Sequence, residues 1–294
     1  MKKLSLICLL FVTFFLLSNP LLANKRNQII KGNGNLITKS MPISNFSKIS
    51  VGVNVEINYS QAPNIGILEF TIDNNLLEYY DIYTEEDVLY IKRKVRDGKD
   101  RHRENSVILN PTKNLITVSS EQLEGITITG SSKVNFCTDF TSNTLEISLT
   151  GSSRILANKH PVNIENCKIS ITGTASVQLT GKIHLADVII TGSGRVMFEG
   201  AIQQANMVIT GSGSAQLKGN IQQASMSIAG RGSVKALDCT IAQLEATIAG
   251  SGVIEAQVTD KLDANIAGRG KIRFKGTPDI INYSVAGSGK ITKI

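Results

Sequence analysis

Four carboxylates, Glu146, Asp187, Glu245 and Asp263, occupy one place in a repeated pattern, and five cations, Lys133, Arg154, Arg195, Lys271 and Lys290, occupy another. Paired carboxylates could cleave a glycosidic bond, one as acid and the other as base or nucleophile. A row of cations could hold an acidic polymer. The four acids are expected at least two repeat units apart, roughly 10 Å or more at β spacing, too far for a retaining pair. Asp139, Glu165 and Glu199 fall in different turns. Neither His-Glu-x-x-His nor Gly-x-Ser-x-Gly occurs, so no nucleophile has an evident base. Gly287-Ser288-Gly289-Lys290 lacks the leading Gly of a phosphate loop, and Ile291 stands where a Ser or Thr would hold magnesium. The chain therefore reads as a non-enzyme with no catalytic residues, no metal and no cofactor; the five cations are its candidate ligand-binding residues.

The elements that must carry these side chains are set by a motif, Ile/Val-Thr/Ala-Gly-Ser/Thr/Arg-Gly/Ser/Ala. It recurs nine times, anchored on Gly130, Gly151, Gly173, Gly192, Gly211, Gly230, Gly250, Gly268 and Gly287, at spacings of 21, 22, 19, 19, 19, 20, 18 and 19 residues. A period of this length marks stacked supersecondary units. At the second, fourth and sixth positions before each anchor and the fourth and sixth after it, 43 of 45 residues are apolar, Glu124 and Lys293 being the exceptions. That alternation belongs to strands with one face in a core. An antiparallel meander and a parallel coil both satisfy it. The parity continues through each Gly-Ser-Gly, however, whereas a tight hairpin would turn there. Thr129, Thr150, Thr172, Thr191 and Thr210, then Ala229, Ala249, Ala267 and Ala286, also recur at one position. Like-on-like columns indicate an all-β fold, a right-handed parallel β-helix of about nine coils with ~20 residues each, and a fixed corner explains the glycines.

Lys2 and Lys3, the mostly apolar residues 4–17, Pro20 and Ala23 read as a signal peptide over 1–23. The expected location is therefore exported: periplasm, cell surface or outside the cell. Residues 24–115 read as a β-rich cap or irregular first coils, and 116–294 as the repeat helix. The last coil is barer, with Lys293 in an inward row as an edge-blocking residue, and could pair with another subunit. Cys137, Cys167 and Cys239 are too sparse for a disulfide framework, and Cys167 reads as core. His102, His160 and His184 read as solvated. Residues 92–103 hold seven Lys/Arg against two Asp; with an Asp-Gly among them they read as a solvated loop. The formal charge is +7, with 5% aromatics and no Trp. This mild excess, without stacking aromatics, argues against nucleic acid.

The Ile-Thr-Gly-Ser-Gly and Ile-Ala-Gly-Ser-Gly repeats follow Phe46-Ser47-Lys48-Ile49-Ser50-Val51-Gly52-Val53-Asn54-Val55-Glu56-Ile57 and Asp73-Asn74-Asn75-Leu76-Leu77. Over residues 34–294 the chain thereby resembles the exported bacterial family called putative auto-transporter adhesin, head GIN domain. Gly130, Gly151 and Gly173 depart from the motif, with Ser-Ser, Ser-Ser and Thr-Ala after them. The resemblance implies a β-helical cell-envelope protein, mainly of Bacteroidetes-type bacteria, with an adhesin-like role and no catalytic residues to carry over. The expectation is a non-catalytic protein that binds an anionic glycan or an envelope protein along its wall. A structural module that self-associates as a homo-oligomer is the alternative, and a polysaccharide-active enzyme comes third. No transmembrane span is expected after the leader.

Overall fold

The computed structural model describes residues 28–63, 66–94 and 107–294. The leader, including Cys8, and most of the basic run, including His102, lie outside them. Two units are distinct. In the first, Gln28–Lys31 pairs in parallel with Val107–Asn110. The second, Gly32–Lys94 with Pro111–Ile294, is a β-solenoid of parallel stacked coils, about nine turns long.

Alternating apolar residues build the coils because every second side chain of a strand points the same way. The nine anchor glycines stack in one column from Gly130 to Gly287, in the parallel register expected. Each coil has three walls. The first ends at the anchor and turns inward residues such as Ala186, Val188 and Ile190; the second buries Val196 and Phe198; the third buries Ile202. Burying each Ile or Val contributes roughly 1.5–3 kcal/mol, so the inward rows carry the fold. Unequal anchor spacings are absorbed as register shifts, between Ala157 and Val162 and between Ala236 and Thr240. One exception to the parity is explained: in the first repeat Leu123 is buried and takes the inward place, leaving Glu124 exposed.

The N-terminal end reverses chain order. Lys48–Val51 pairs on one side with the first repeat, at residues 125–128, and on the other with residues 88–91. Glu56–Gln61 likewise lies between Lys133–Phe136 and Asn114–Ser120. A coil from 48–61 therefore sits inside the stack, with residues 88–91 and 115–120 beyond it. Antiparallel strands then close that end: Ile67–Asp73 joins Asn114–Ser120 and Leu36–Pro42, while Tyr80–Glu85 joins Val88–Arg93. Leu89, Ile91 and Ile116 are fully buried there. Asp73 fastens the closure by accepting the Gly34 and Thr112 amides at 2.8 and 2.7 Å. Burial pushes its carboxyl up, but these backbone donors outweigh that and hold it below the usual range.

Candidate functional site

The five cations predicted from sequence do form one column on the second wall. Lys133 is beside Arg154 and Lys271 is beside Lys290, in direct register. Between Arg154 and Arg195 comes Ser176, and between Arg195 and Lys271 come Ser214, Ser233 and Val253. The row is thus two groups about 19 Å apart at the coil spacing. Lys133 is not free to meet a ligand. Its Nζ lies 2.8 Å from Glu56 Oε1, which also accepts Asn135 Nδ2 at 2.8 Å. These two hydrogen bonds, Lys133 first, hold the Glu56 carboxyl below its ordinary range. Glu56 lies 77 residues before Lys133, so only the reversed stacking order reveals the pair. Arg195 Nε donates to Ser214 Oγ at 3.3 Å.

The acid column contradicts one expectation. Glu245 and Asp263 lie on adjacent coils, directly paired in register, because their anchors, Gly250 and Gly268, are consecutive. Their backbones are therefore about 4.8 Å apart, within reach of a retaining carboxylate pair. Such a pair needs one carboxyl kept protonated. Lys261 Nζ at 2.7 Å and, next, Asn282 Nδ2 at 2.8 Å drive Asp263 the other way, below its ordinary range. Glu146 is followed by Lys168, 3.6 Å away, and Asp187 by Asn206, 2.8 Å away. The column therefore pairs its acids with donors along the stack. Among the described residues no cluster of three or more His, Cys, Asp or Glu is arranged to hold a metal. Cys167 and Cys239 are buried, their thiols pushed up to about 12 and about 11 by desolvation, while Cys137 is exposed.

Two grooves run along the third wall, where sequence pattern marks no candidate residue. A second glycine corner, Gly181, Gly200 and Gly219, stacks between the second and third walls. A Cβ on Gly200 would lie 1.9 Å from the Gly181 carbonyl oxygen, and φ there is +144°. The stacking itself thus requires a bare strip. Side chains rise on both sides of it, leaving a groove of ≈ 880 Å³ that spans Asp139 to Asp238 and passes Glu199 and Lys218. A second groove of ≈ 530 Å³ continues along the third wall and shares Asn163, Lys182, Ala201 and Asn220 with it. Its floor is Ile164, Ile183, Ile202 and Ile221, and its flank carries Gln203 and Gln222. Glu199, Lys218 and Asp238 follow one another in register, so charges of alternating sign line one rim. His184 Nε2 is 3.8 Å from Glu165, and His160 Nδ1 is 3.4 Å from Asp139. Both imidazoles thus stand at this wall beside carboxylates. The amides offer donors and acceptors together, which suits hydroxyl-rich ligands.

The profile of the family described as "putative auto-transporter adhesin, head GIN domain" matches residues 45–203 and 186–278. Among solved structures, a "putative lipid binding protein" from Parabacteroides distasonis is 30% identical, with a TM-score of 0.70, covering 91% of this chain and 100% of that one. A "putative adhesin" from the same organism is 24% identical, with a TM-score of 0.67 and coverage of 91% and 100%. Another from Parabacteroides merdae is 24% identical, with a TM-score of 0.63 and coverage of 91% and 99%. These last two likenesses concern the fold. No curated protein matches the chain.

Proposed function

We propose, because the chain belongs to the putative auto-transporter adhesin, head GIN domain family, that it is an exported, non-catalytic adhesin-like protein whose third wall binds an extended envelope glycan. The observation that carries this reading is the continuous groove through Asn163, Lys182, Ala201 and Asn220, with isoleucines for a floor and amides and charges on its flanks. Its rows repeat every ~4.8 Å, close to the advance of one pyranose unit in an extended chain. A repeating wall can thus offer successive sugars the same contacts, which is how solenoids use long surfaces. Amides and rim charges of both signs favour a polymer rich in hydroxyls with few charges. The lipid named for the 30% identical relative would ask for an apolar cavity, and the coil interior here is filled by its own side chains.

A glycan array probed with purified protein tests the proposal. Ala201 is exposed and central, so Ala201→Trp fills the groove without entering the core. The expected result is retention on at least one envelope polysaccharide, reduced tenfold or more by Ala201→Trp. Retention unchanged by that variant would overturn the assignment.

The cation column supports a second reading, an acidic polymer held on the second wall. Its carrying observation is the exposed Arg154 and Arg195 on one face. Replacing both with Glu would then abolish binding and its salt dependence, leaving Ala201→Trp silent.

A further inference from the structure

The three walls differ in what they show to solvent. The second and third carry the cation column and the rim charges. On the first wall the two outward columns nearest the anchors carry no charge at all. One is the Thr-then-Ala column just before the anchors, and the other runs from Thr127 through Ile189 and Val208 to Ser284; none of their 18 residues is charged, in a chain where 19% of residues are. Apart from Ile189, Val208 and Asn265 they are Ser, Thr or Ala, so the wall is flat and its side chains lose little freedom on burial. Midway along it, on the fourth and fifth of the nine coils, Ile189 and Val208 are neighbours in register and stand 44% and 42% exposed. Charge returns only at the two edges. On one edge is the acid column, with Glu245 and Asp263 on the seventh and eighth coils; on the other, just past the anchors, Arg231 and Arg269 are exposed on the sixth and eighth. Among the described residues neither arginine makes an ion pair, and neither does Glu245.

We propose that the first wall is a homodimer interface: two copies pack face to face about a two-fold axis that runs along the stack, each coil against its own counterpart. This rotation keeps the stacking direction and reverses the strands. The column one residue before the anchor then meets the column three before it in the partner, and the acid column meets the residues just past the partner's anchors. In the first three coils hydroxyls oppose hydroxyls, as Thr150 does the partner's Ser148, and each can both donate and accept. In the middle coils Ile189 and Val208 bury against the methyls of the partner's Thr191 and the partner's Thr210. In the eighth coil Asp263 stands level with the partner's Arg269. Glu245 lies one coil, about 4.8 Å in height, from both the partner's Arg231 and the partner's Arg269.

The edge charges also select this arrangement over its rival. A two-fold axis along the strands would bring the same faces together with the stack reversed. About the fifth coil it would oppose Glu146 to the partner's Asp263 and set both arginines against serines. From the acid column to the arginine edge the wall spans about 20 Å, and its nine coils rise roughly 40 Å, so each copy buries on the order of 800 Å², the amount found in specific complexes. Small side chains and few apolar anchors place the affinity at the micromolar end for that area. The contact is isologous and closes at two copies. Both third-wall grooves stay open in such a dimer, which stands whatever they bind.

Sedimentation of the purified protein from about 1 to about 300 μM tests the proposal, with a cross-link for the orientation. Expected are a rise from monomer to dimer and a dissociation constant raised about tenfold or more both by Ile189→Lys with Val208→Lys and by Arg231→Glu with Arg269→Glu. The circular dichroism spectrum should not change, since all four side chains point outward. In a Cys137→Ser background, which removes the exposed native thiol, Thr150→Cys should be joined to its counterpart by a bismaleimide of about 10 Å, because the two second coils are level; the reversed arrangement would hold them roughly 29 Å apart. Lys235→Cys, exposed on the second wall, should not cross-link. Monomer throughout, association indifferent to either pair of substitutions, or cross-linking no better at residue 150 than at residue 235 would each overturn the proposal. So would a monomer that Ile189→Lys with Val208→Lys releases from an insoluble envelope polysaccharide, which would give the wall to a ligand instead of a second copy.

Discussion

Replacing Gly200 with Ala isolates what the second corner costs to build. Two penalties meet there. An L-residue at φ +144° costs about 1–3 kcal/mol. The new Cβ would also stand 1.9 Å from the Gly181 carbonyl oxygen. That atom is backbone of the neighbouring coil and cannot swing away, so the coils must part locally and lose one or two ladder hydrogen bonds, worth about 0.5–1.5 kcal/mol each. Together these predict a loss of roughly 2–5 kcal/mol. Two other glycines separate the contributions. Gly34 has φ +79° and nothing within 4 Å of where a Cβ would stand, so Gly34→Ala incurs the backbone cost alone. Gly52 has neither a positive φ nor a close neighbour, and Gly52→Ala should be neutral or stabilising by up to about 1 kcal/mol. Urea unfolding followed by circular dichroism should rank the variants Gly52→Ala, Gly34→Ala, Gly200→Ala in falling stability. Equal midpoints for Gly200→Ala and Gly52→Ala would refute the stacked corner, and with it the origin of the groove.

Three further outcomes are expected. The folded-state pKa of Asp73 is lowered, so its contribution is present above the ordinary carboxylate value and lost as pH falls through the depressed one; urea midpoints measured from pH 5 downward should fall less steeply in Asp73→Asn, and parallel slopes would contradict the Gly34 and Thr112 contacts. Alkylation of native protein should label Cys137, with the rise in rate displaced to higher pH than for an ordinary thiol because desolvation raises it, while Cys167 and Cys239 react only on unfolding; native labelling of either, read by mass spectrometry, would contradict the core. Glu245→Gln and Asp263→Asn should leave glycan retention intact, and no preparation should release reducing ends from envelope polysaccharide; turnover lost in both variants would make the pair a hydrolase site.

The buried rows were legible in the sequence because parity is local: Ala186, Val188, Ile190, Val196 and Phe198 are read directly from their distance to Gly192. Contacts that depend on stacking order were not. Glu56 meets Lys133 because the coil at 48–61 is threaded between later segments, and no period announces that inversion. Counting coils along the acid column put Glu245 and Asp263 too far apart, although their anchors are neighbours. The second corner escaped notice because glycine occupies only some of its coils: Val162 and Cys239 hold the same place. The groove follows from that corner, so it too was invisible. In the last coil the alternation correctly assigned Ile281, Tyr283 and Val285 to the row of Leu262, Ala264 and Ile266.

The dependence of affinity on ligand length tests the third-wall assignment most directly. Oligosaccharides of increasing length, cut from whichever polysaccharide the protein retains, would be titrated against the purified protein. The account predicts that affinity climbs with each added sugar until the chain spans the coils from Asn163 to Thr240, then levels off, with Ala201→Trp flattening the climb. Affinity already complete at one or two sugars, or indifferent to Ala201→Trp, would mean that recognition does not run along this wall.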